Sequence, residues 1–199
     1  MPGLKPWPLA AAIVILAITG ALSLPGDMLF SLHMTQHLLL IVAAAPLLIL
    51  GGVRLPVSPL AGWGLFVAVF VFWHWPVAFG WAALHHYGTL LEMGSILLAA
   101  LCFWNGVLGD DRLNDGAHAL MVMTAAILTD LPGVVMLFAP TAICVMPHEN
   151  AARFGLTPLQ DQQLAGLLMW VPANLVFFGI ATFLFARWIS AEHRPMVTS

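Results

Sequence analysis

The sequence predicts an all-α, polytopic transmembrane helix bundle of about six spans, N-in and C-in. Three observations predict it. Hydrophobic residues fill 61% of the 199 positions and charged residues 8%, against about 25% charged in a soluble domain, so the chain needs lipid as its solvent. The apolar residues form six runs, at about 8–25, 31–50, 60–79, 87–108, 117–139 and 159–186, each near the ~20 residues that take a helix across ~30 Å of hydrocarbon. Positive charge is one-sided. Lys5, Arg54, Arg112, Arg187 and Arg194 fall at the N-terminus, the second and fourth connections and the C-terminus, with Arg153 alone opposite, which places both termini in the cytoplasm.

Backbone in lipid must satisfy its own hydrogen bonds, so the runs are helices. The longest polar connection is under 20 residues, leaving one membrane-embedded domain over 1–199. A net charge of −3 without a basic tract speaks against nucleic acid as a partner. Cys102 and Cys144 are 42 residues apart and make neither a C-x-x-C pair nor a disulfide framework. With no nucleophile–base pair and no phosphate-binding glycine loop, the chain does not read as an enzyme.

The first run has Lys5, an apolar stretch of ~14 residues and Ala21-Leu22-Ser23, the pattern of a signal peptide. Pro6, Pro8 and the lone positive charge favour a retained helix instead. The second run opens with His33 and His37, four apart and therefore on one helix face. The third carries Trp73-His74-Trp75-Pro76 near its outer end. The fourth opens with His85 and His86, and Glu92 follows His85 by seven residues, sharing its face. The fifth contains Asp130 and Pro132. The sixth begins with a capping box, Thr157 and Gln160 around Pro158, and Asp161 in its first turn suits the helix dipole. Pro46, Pro76, Pro132 and Pro172 should each bend a helix or open a backbone gap. Trp7, Trp63, Trp104 and Trp188 mark inner ends and Trp73, Trp75 and Trp81 outer ends, as in an interfacial belt.

The polar residues gather at the outer ends. His37, His74 and Glu92 lie five or six residues inside their spans, roughly 8–9 Å deep, and Asp161 enters at a shallower level. Ionisable groups in a bilayer face the protein interior or a wet cavity. His, His, Glu and Asp at one level make a candidate metal or proton site open to the outside, with imidazoles suited to copper, zinc or iron. Met28, Met34 and Met93 near this level, and the run Cys144, Met146, His148, would add soft ligands that favour copper. Glu92 and Asp161 would serve either as ligands or as groups orienting the histidines. Asp130 lies about 13 Å deep, as a proton relay or a structural hydrogen-bonding group. Two other functions fit the same residues. His37 and His74 could ligate the haem of a b-type electron carrier. A copper or proton transporter would use Asp130 and Asn174 to continue the path.

The segments H-M-T-Q-H followed by L-L-L-I-V-A-A-A-P-L-L-I-L-G-G (33–52) and P-L-Q-D-Q-Q-L-A-G-L-L-M-W-V-P (158–172) resemble the first and last motifs of CtaG-like cytochrome c oxidase assembly factors. H-W-P (74–76) and L-H-H-Y-G-T-L-L-E-M…L-C-F-W (84–104) follow in the same order, and the resemblance spans roughly residues 28–190. It implies a multi-pass protein of the bacterial inner (plasma) membrane that helps mature haem–copper cytochrome c oxidase, in contact with oxidase subunits and copper chaperones, and handling copper. Carried over by position, the family's polar residues fall on His33, His37, His74, His85, Glu92, Asp161 and Gln163. The chain departs from the pattern at Thr89 and Met93, where the family often has histidines flanking the glutamate.

Overall fold

The computed structural model describes residues 4–22, 29–144 and 151–192. Every regular element among them is helical. The helices are α1 (Pro6–Leu22), α2 (Phe30–Leu50), α3 (Pro59–Trp73), α4 (Pro76–Leu84), α5 (His86–Leu108), α6 (Asp115–Phe138) and α7 (Pro158–Glu192), with a 3₁₀ turn at Ala151–Phe154. Four of them, α2, α5, α6 and α7, are long and apolar enough to cross a membrane, and α3 with α4 makes a fifth span if taken as one. The six predicted spans are thus an approximation. The first run yields a helix of 17 residues, only ~25 Å long at 1.5 Å per residue.

The predicted third span, 60–79, is two helices bent by 73°. Pro76 is the cause. It has no N–H to continue α3, and its ring drives the preceding residue out of the helical region. Trp75 accordingly sits at φ −74°, ψ 129°, and Pro76 becomes the first residue of α4. The last helix outruns its predicted end and reaches Glu192.

The helix starts are capped as their sequences require. Thr157 Oγ1 accepts from Gln160 N–H at 3.2 Å while Gln160 Oε1 accepts from Thr157 N–H at 2.8 Å, the reciprocal capping box. Ser58 caps α3 and Asn114 caps α6 through their side-chain oxygens. Lys5 N–H donates to Gly51 O, so α1 starts where α2 ends. Arg54, the Arg112–Asp110 pair and the Arg187–Asp115 ion pair (3.0 Å) share that end of the bundle. The Arg112 guanidinium holds the Asp110 carboxyl below the usual carboxylate range.

The middle of the bundle is aromatic. Phe66, Phe103 and Phe177 stack with centroids 4.9–6.4 Å apart, and Trp104 packs edge-on against Phe103. Close helix approaches surround this layer. A Cβ on Gly62 would stand 2.4 Å from Cys102 O, and one on Gly166 2.6 Å from Gly133 O, so glycine lets α3 meet α5 and α6 meet α7 at backbone distance. Two tryptophans expected in the interfacial belt are in the interior instead. Trp104 is 0% and Trp73 5% exposed, because each indole N–H finds a partner inside the bundle: buried Ile41 O for Trp104 and part-buried Ser95 Oγ for Trp73, both at 2.7 Å.

The Trp104 bond answers a local problem in α2. Residues Leu40–Ala44 form a π turn, in which Ala45 N–H bonds Leu40 O. Ile41 O would then pair with residue 46, but that residue is proline and has no N–H. Trp104 supplies the missing donor from α5. Trp104→Phe removes it and leaves a buried carbonyl unsatisfied. The expected loss is about 1–3 kcal/mol of stability, read by denaturant titration in detergent. A variant as stable as the parent would show that the carbonyl is satisfied by another route.

Candidate metal centre

α2, α3 and α5 bring four ionisable side chains together at the end of the bundle opposite Arg54, Arg112 and Arg187. His33 and His37 come from the first turns of α2, His74 caps the C-terminus of α3, and Glu92 comes from the second turn of α5. All four are buried: His33 2%, His37 1%, His74 6% and Glu92 1% exposed. The i, i+4 spacing stacks the first two imidazoles with centroids 4.7 Å apart. His74 stands edge-to-face with His37 at 5.3 Å. The break at Trp75-Pro76 leaves His74 at the exposed end of its helix, free to turn inward. After the break α4 folds back over the site, and its Phe79 packs on Phe30 at 5.0 Å and on His33 at 5.7 Å.

Glu92 is the hub. Its Oε1 accepts from His33 Nε2 at 3.2 Å and lies 3.4 Å from His37 Nε2. His74 Nδ1 donates to Phe70 O at 2.7 Å, which leaves Nε2 as the nitrogen with the lone pair. Beyond these contacts the cluster is short of partners. His33 Nδ1, both nitrogens of His37, His74 Nε2 and Glu92 Oε2 are buried and have no hydrogen-bond partner among the described residues. Each such group costs about 1–3 kcal/mol unless something satisfies it, and five of them together call for a bound species.

The donor chemistry and spacing fit a metal ion. One ligand atom each from His33, His37 and Glu92 lies within 4.8 Å of the others. Donors around a tetrahedral ion at ~2.0–2.2 Å stand roughly 3.4 Å apart, so rotamer adjustments of an ångström or so close the site. His74, anchored through Nδ1 on a backbone carbonyl, has the orientation metal-binding histidines adopt, and its Nε2 would complete the set. The arrangement does not suit a porphyrin, because the His37 and His74 rings touch and Phe70 stacks on His74 at 4.0 Å.

The other expected site residues lie elsewhere. Asp161 is fully buried at the start of α7, but both of its oxygens are taken. They accept from Phe30 N–H (2.7 Å) and Ser31 N–H (3.1 Å), so Asp161 caps the helix that carries the histidines. His85 is exposed, donates to Trp81 O at 2.8 Å and stacks on that indole. Asp130 accepts from Asn174 Nδ2 at 2.8 Å, deeper in the bundle. Gln163 is half-buried, and its neighbour Gln162 holds the buried position. Gln162 Oε1 accepts from Ile143 and Cys144 N–H (2.6 and 3.0 Å) and Nε2 donates to Met136 O at 3.0 Å, tying the chain after α6 to α7. The signal for it was present: Gln162, Ala165, Gly166 and Met169 form the i, i+3, i+4, i+7 buried stripe of α7.

Met34 is packed in the hydrophobic core, and Met28, Met146 and His148 lie outside the described residues. Cys144 is buried in the connection after α6, and that burial pushes its thiol up to about 11, which keeps it protonated at neutral pH and a poor ligand.

Comparisons with curated proteins and with solved structures return no match. A family model does match, described as cytochrome c oxidase caa3 assembly factor (Caa3_CtaG), over residues 52–191. The matched segment contains His74, His85, Glu92, Asp130, Asp161 and Gln163, whereas His33 and His37 precede it. It takes in well over half of the 199 residues, and on that ground the chain belongs to the family of cytochrome c oxidase caa3 assembly factors.

Proposed function

We propose that this assembly factor holds a copper ion transiently at the His33, His37, His74 and Glu92 cluster, facing the outside of the bacterial plasma membrane, and passes it toward the oxidase with copper chaperones as its suppliers. The observation that carries this reading is the convergence of buried nitrogen and oxygen donors from three helices, five of them without a hydrogen-bond partner among the described residues. Copper is cargo here, not a resident cofactor, and no catalytic step is assigned to the protein. A mixed imidazole–carboxylate set without sulfur suits Cu(II), which also leads the divalent affinity order. The orientation rests on charge: Lys5, Arg54, Arg112 and Arg187 lie at the end away from the cluster. Holding accounts for the residues better than conduction, because a conduit needs polar groups through the full depth, and deeper in the bundle Asp130 and Asn174 are bonded to each other.

The test is metal content. Purified protein is loaded with equal Cu(II) and Zn(II), desalted and measured by mass spectrometry, alongside the H33A/H37A/H74A triple variant. Wild type should retain about one copper per chain, as one four-donor site allows, and the triple variant less than about a tenth of that. Equal copper in both proteins, or zinc alone in the wild type, would overturn the assignment.

A further inference from the structure

We propose that Asp130, fixed by Asn174, is a positioning residue for His37 and acts through a water molecule in the cavity between them. The inference deepens the metal-site reading, but its first test is independent of metal.

The starting point is an asymmetry among the imidazoles. His74 is anchored on Phe70 O at 2.7 Å. His37, 1% exposed, has no hydrogen-bond partner at either nitrogen among the described residues. A histidine that offers one nitrogen to an ion needs an acceptor for the N–H of the other, which fixes tautomer and ring orientation. Glu92 Oε1 stands 3.4 Å from His37 Nε2, but among the described residues nothing accepts from Nδ1.

The ring of His37 lines a cavity of about 30 Å³ at the junction of α2, α3, α6 and α7. That volume holds a water molecule. The other polar walls are Thr129 and Asp130, and the remainder is apolar, including Phe66, Phe70 and Phe177. A water there would have His37, Thr129 and Asp130 as polar neighbours, within the usual two to four. Thr129 donates its hydroxyl hydrogen to Ala125 O at 2.9 Å, which leaves its oxygen able to accept. Asp130 offers carboxylate oxygens.

Asp130 is itself held in place. Asn174 Nδ2 donates to Asp130 Oδ1 at 2.8 Å and to Trp170 O at 2.9 Å. A carboxyl deep in a bilayer is costly and marks function by default. Here it is oriented by an amide on one side and borders the cavity that reaches a histidine of the cluster. The sequence carbonyl–His74 and the sequence carboxyl–water–His37 would then be two forms of the same device.

Asp130→Asn is the informative variant. Its amide oxygen still accepts from Asn174, so the fold is kept while the carboxyl is lost. The probe is the ¹⁵N spectrum of histidine-labelled protein without metal, with His37 assigned by its disappearance in His37→Gln. Asp130→Asn should move the His37 ring nitrogens and leave those of exposed His85 in place. Unmoved His37 nitrogens would overturn the proposal, and a purely structural Asp130 gives that result. The second readout is Cu(II) titration, where Asp130→Ala should weaken binding 10–100-fold. Undiminished Cu(II) affinity in Asp130→Ala would also overturn it. A wild-type chain that binds no copper would sink the metal reading alone, and the nitrogen spectrum then decides the role of Asp130 by itself.

Discussion

Glu92→Gln is expected to lower the copper affinity of the protein at least about 100-fold, at the upper end of what a lost metal-site contact costs, while the chain still folds. Glutamine has nearly the same volume, and its amide oxygen can still accept from His33 Nε2, which now lies 3.2 Å from Glu92 Oε1. What disappears is the negative charge. In the parent that charge sits 1% exposed among three imidazoles, where it compensates a divalent ion that the neutral rings cannot. The amide also brings an NH₂ group to the place of Oε2, which has no hydrogen-bond partner among the described residues, so the variant adds donors where an ion would need acceptors. Competition titration with a calibrated Cu(II) chelator measures the change. Parent-like affinity in Glu92→Gln would mean that the carboxylate is no part of the site.

The second large effect is on the scaffold. Gly62→Ala should destabilise the protein by about 3 kcal/mol, the upper part of the usual overpacking range. The new Cβ would meet Cys102 O at 2.4 Å and Cys102 C at 2.8 Å. These are backbone atoms of α5 and cannot swing away as a side chain would, so α3 and α5 must separate. The site feels this directly. His74 lies 12 residues beyond Gly62 on α3 and Glu92 ten residues before Cys102 on α5, both roughly 15–18 Å from the crossing, where a small tilt becomes a large displacement. Gly64→Ala is the matched control. No atom lies within 4 Å of its added Cβ, and alanine gains up to ~1 kcal/mol in helix propensity over glycine. Thermal unfolding in detergent should order the three proteins Gly64→Ala, parent, Gly62→Ala. Equal stability of the two variants would remove the steric account of the crossing.

Much of this architecture could be read from the residues. The i, i+4 pair His33 and His37 and the depth of Glu92 follow from helix geometry alone, and the structure brings their donors within 4.8 Å. Depth is also where such reading stops. Counting residues gives a level in the membrane but neither the azimuth of a side chain nor its partner. Asp161 stands near the right level and caps α2 across the bundle. His85 shares a face with Glu92 by spacing, yet the chain is extended at His85 itself, so the spacing argument no longer applied there. The break after α3 was signalled by Trp75-Pro76 and hidden by the unbroken apolar run around it. Trp104 was placed at an interface by residue type, while a missing N–H in another helix decides its actual position. That pairing links residues 63 apart, beyond the range of any local pattern.

The wide turn at Leu40–Ala44 has a geometric consequence for everything above it. A helix advances by ~100° per residue, and a π turn takes in one residue more than α register would. The outer half of α2, with its imidazoles, is therefore rotated by about that angle relative to the inner half, where Pro46 and Ile49 are buried. One rod thus presents two differently aimed faces. The inner half can stay fitted to its neighbours while the outer half is aimed at Glu92, and chemistry and packing on the same helix answer to separate constraints.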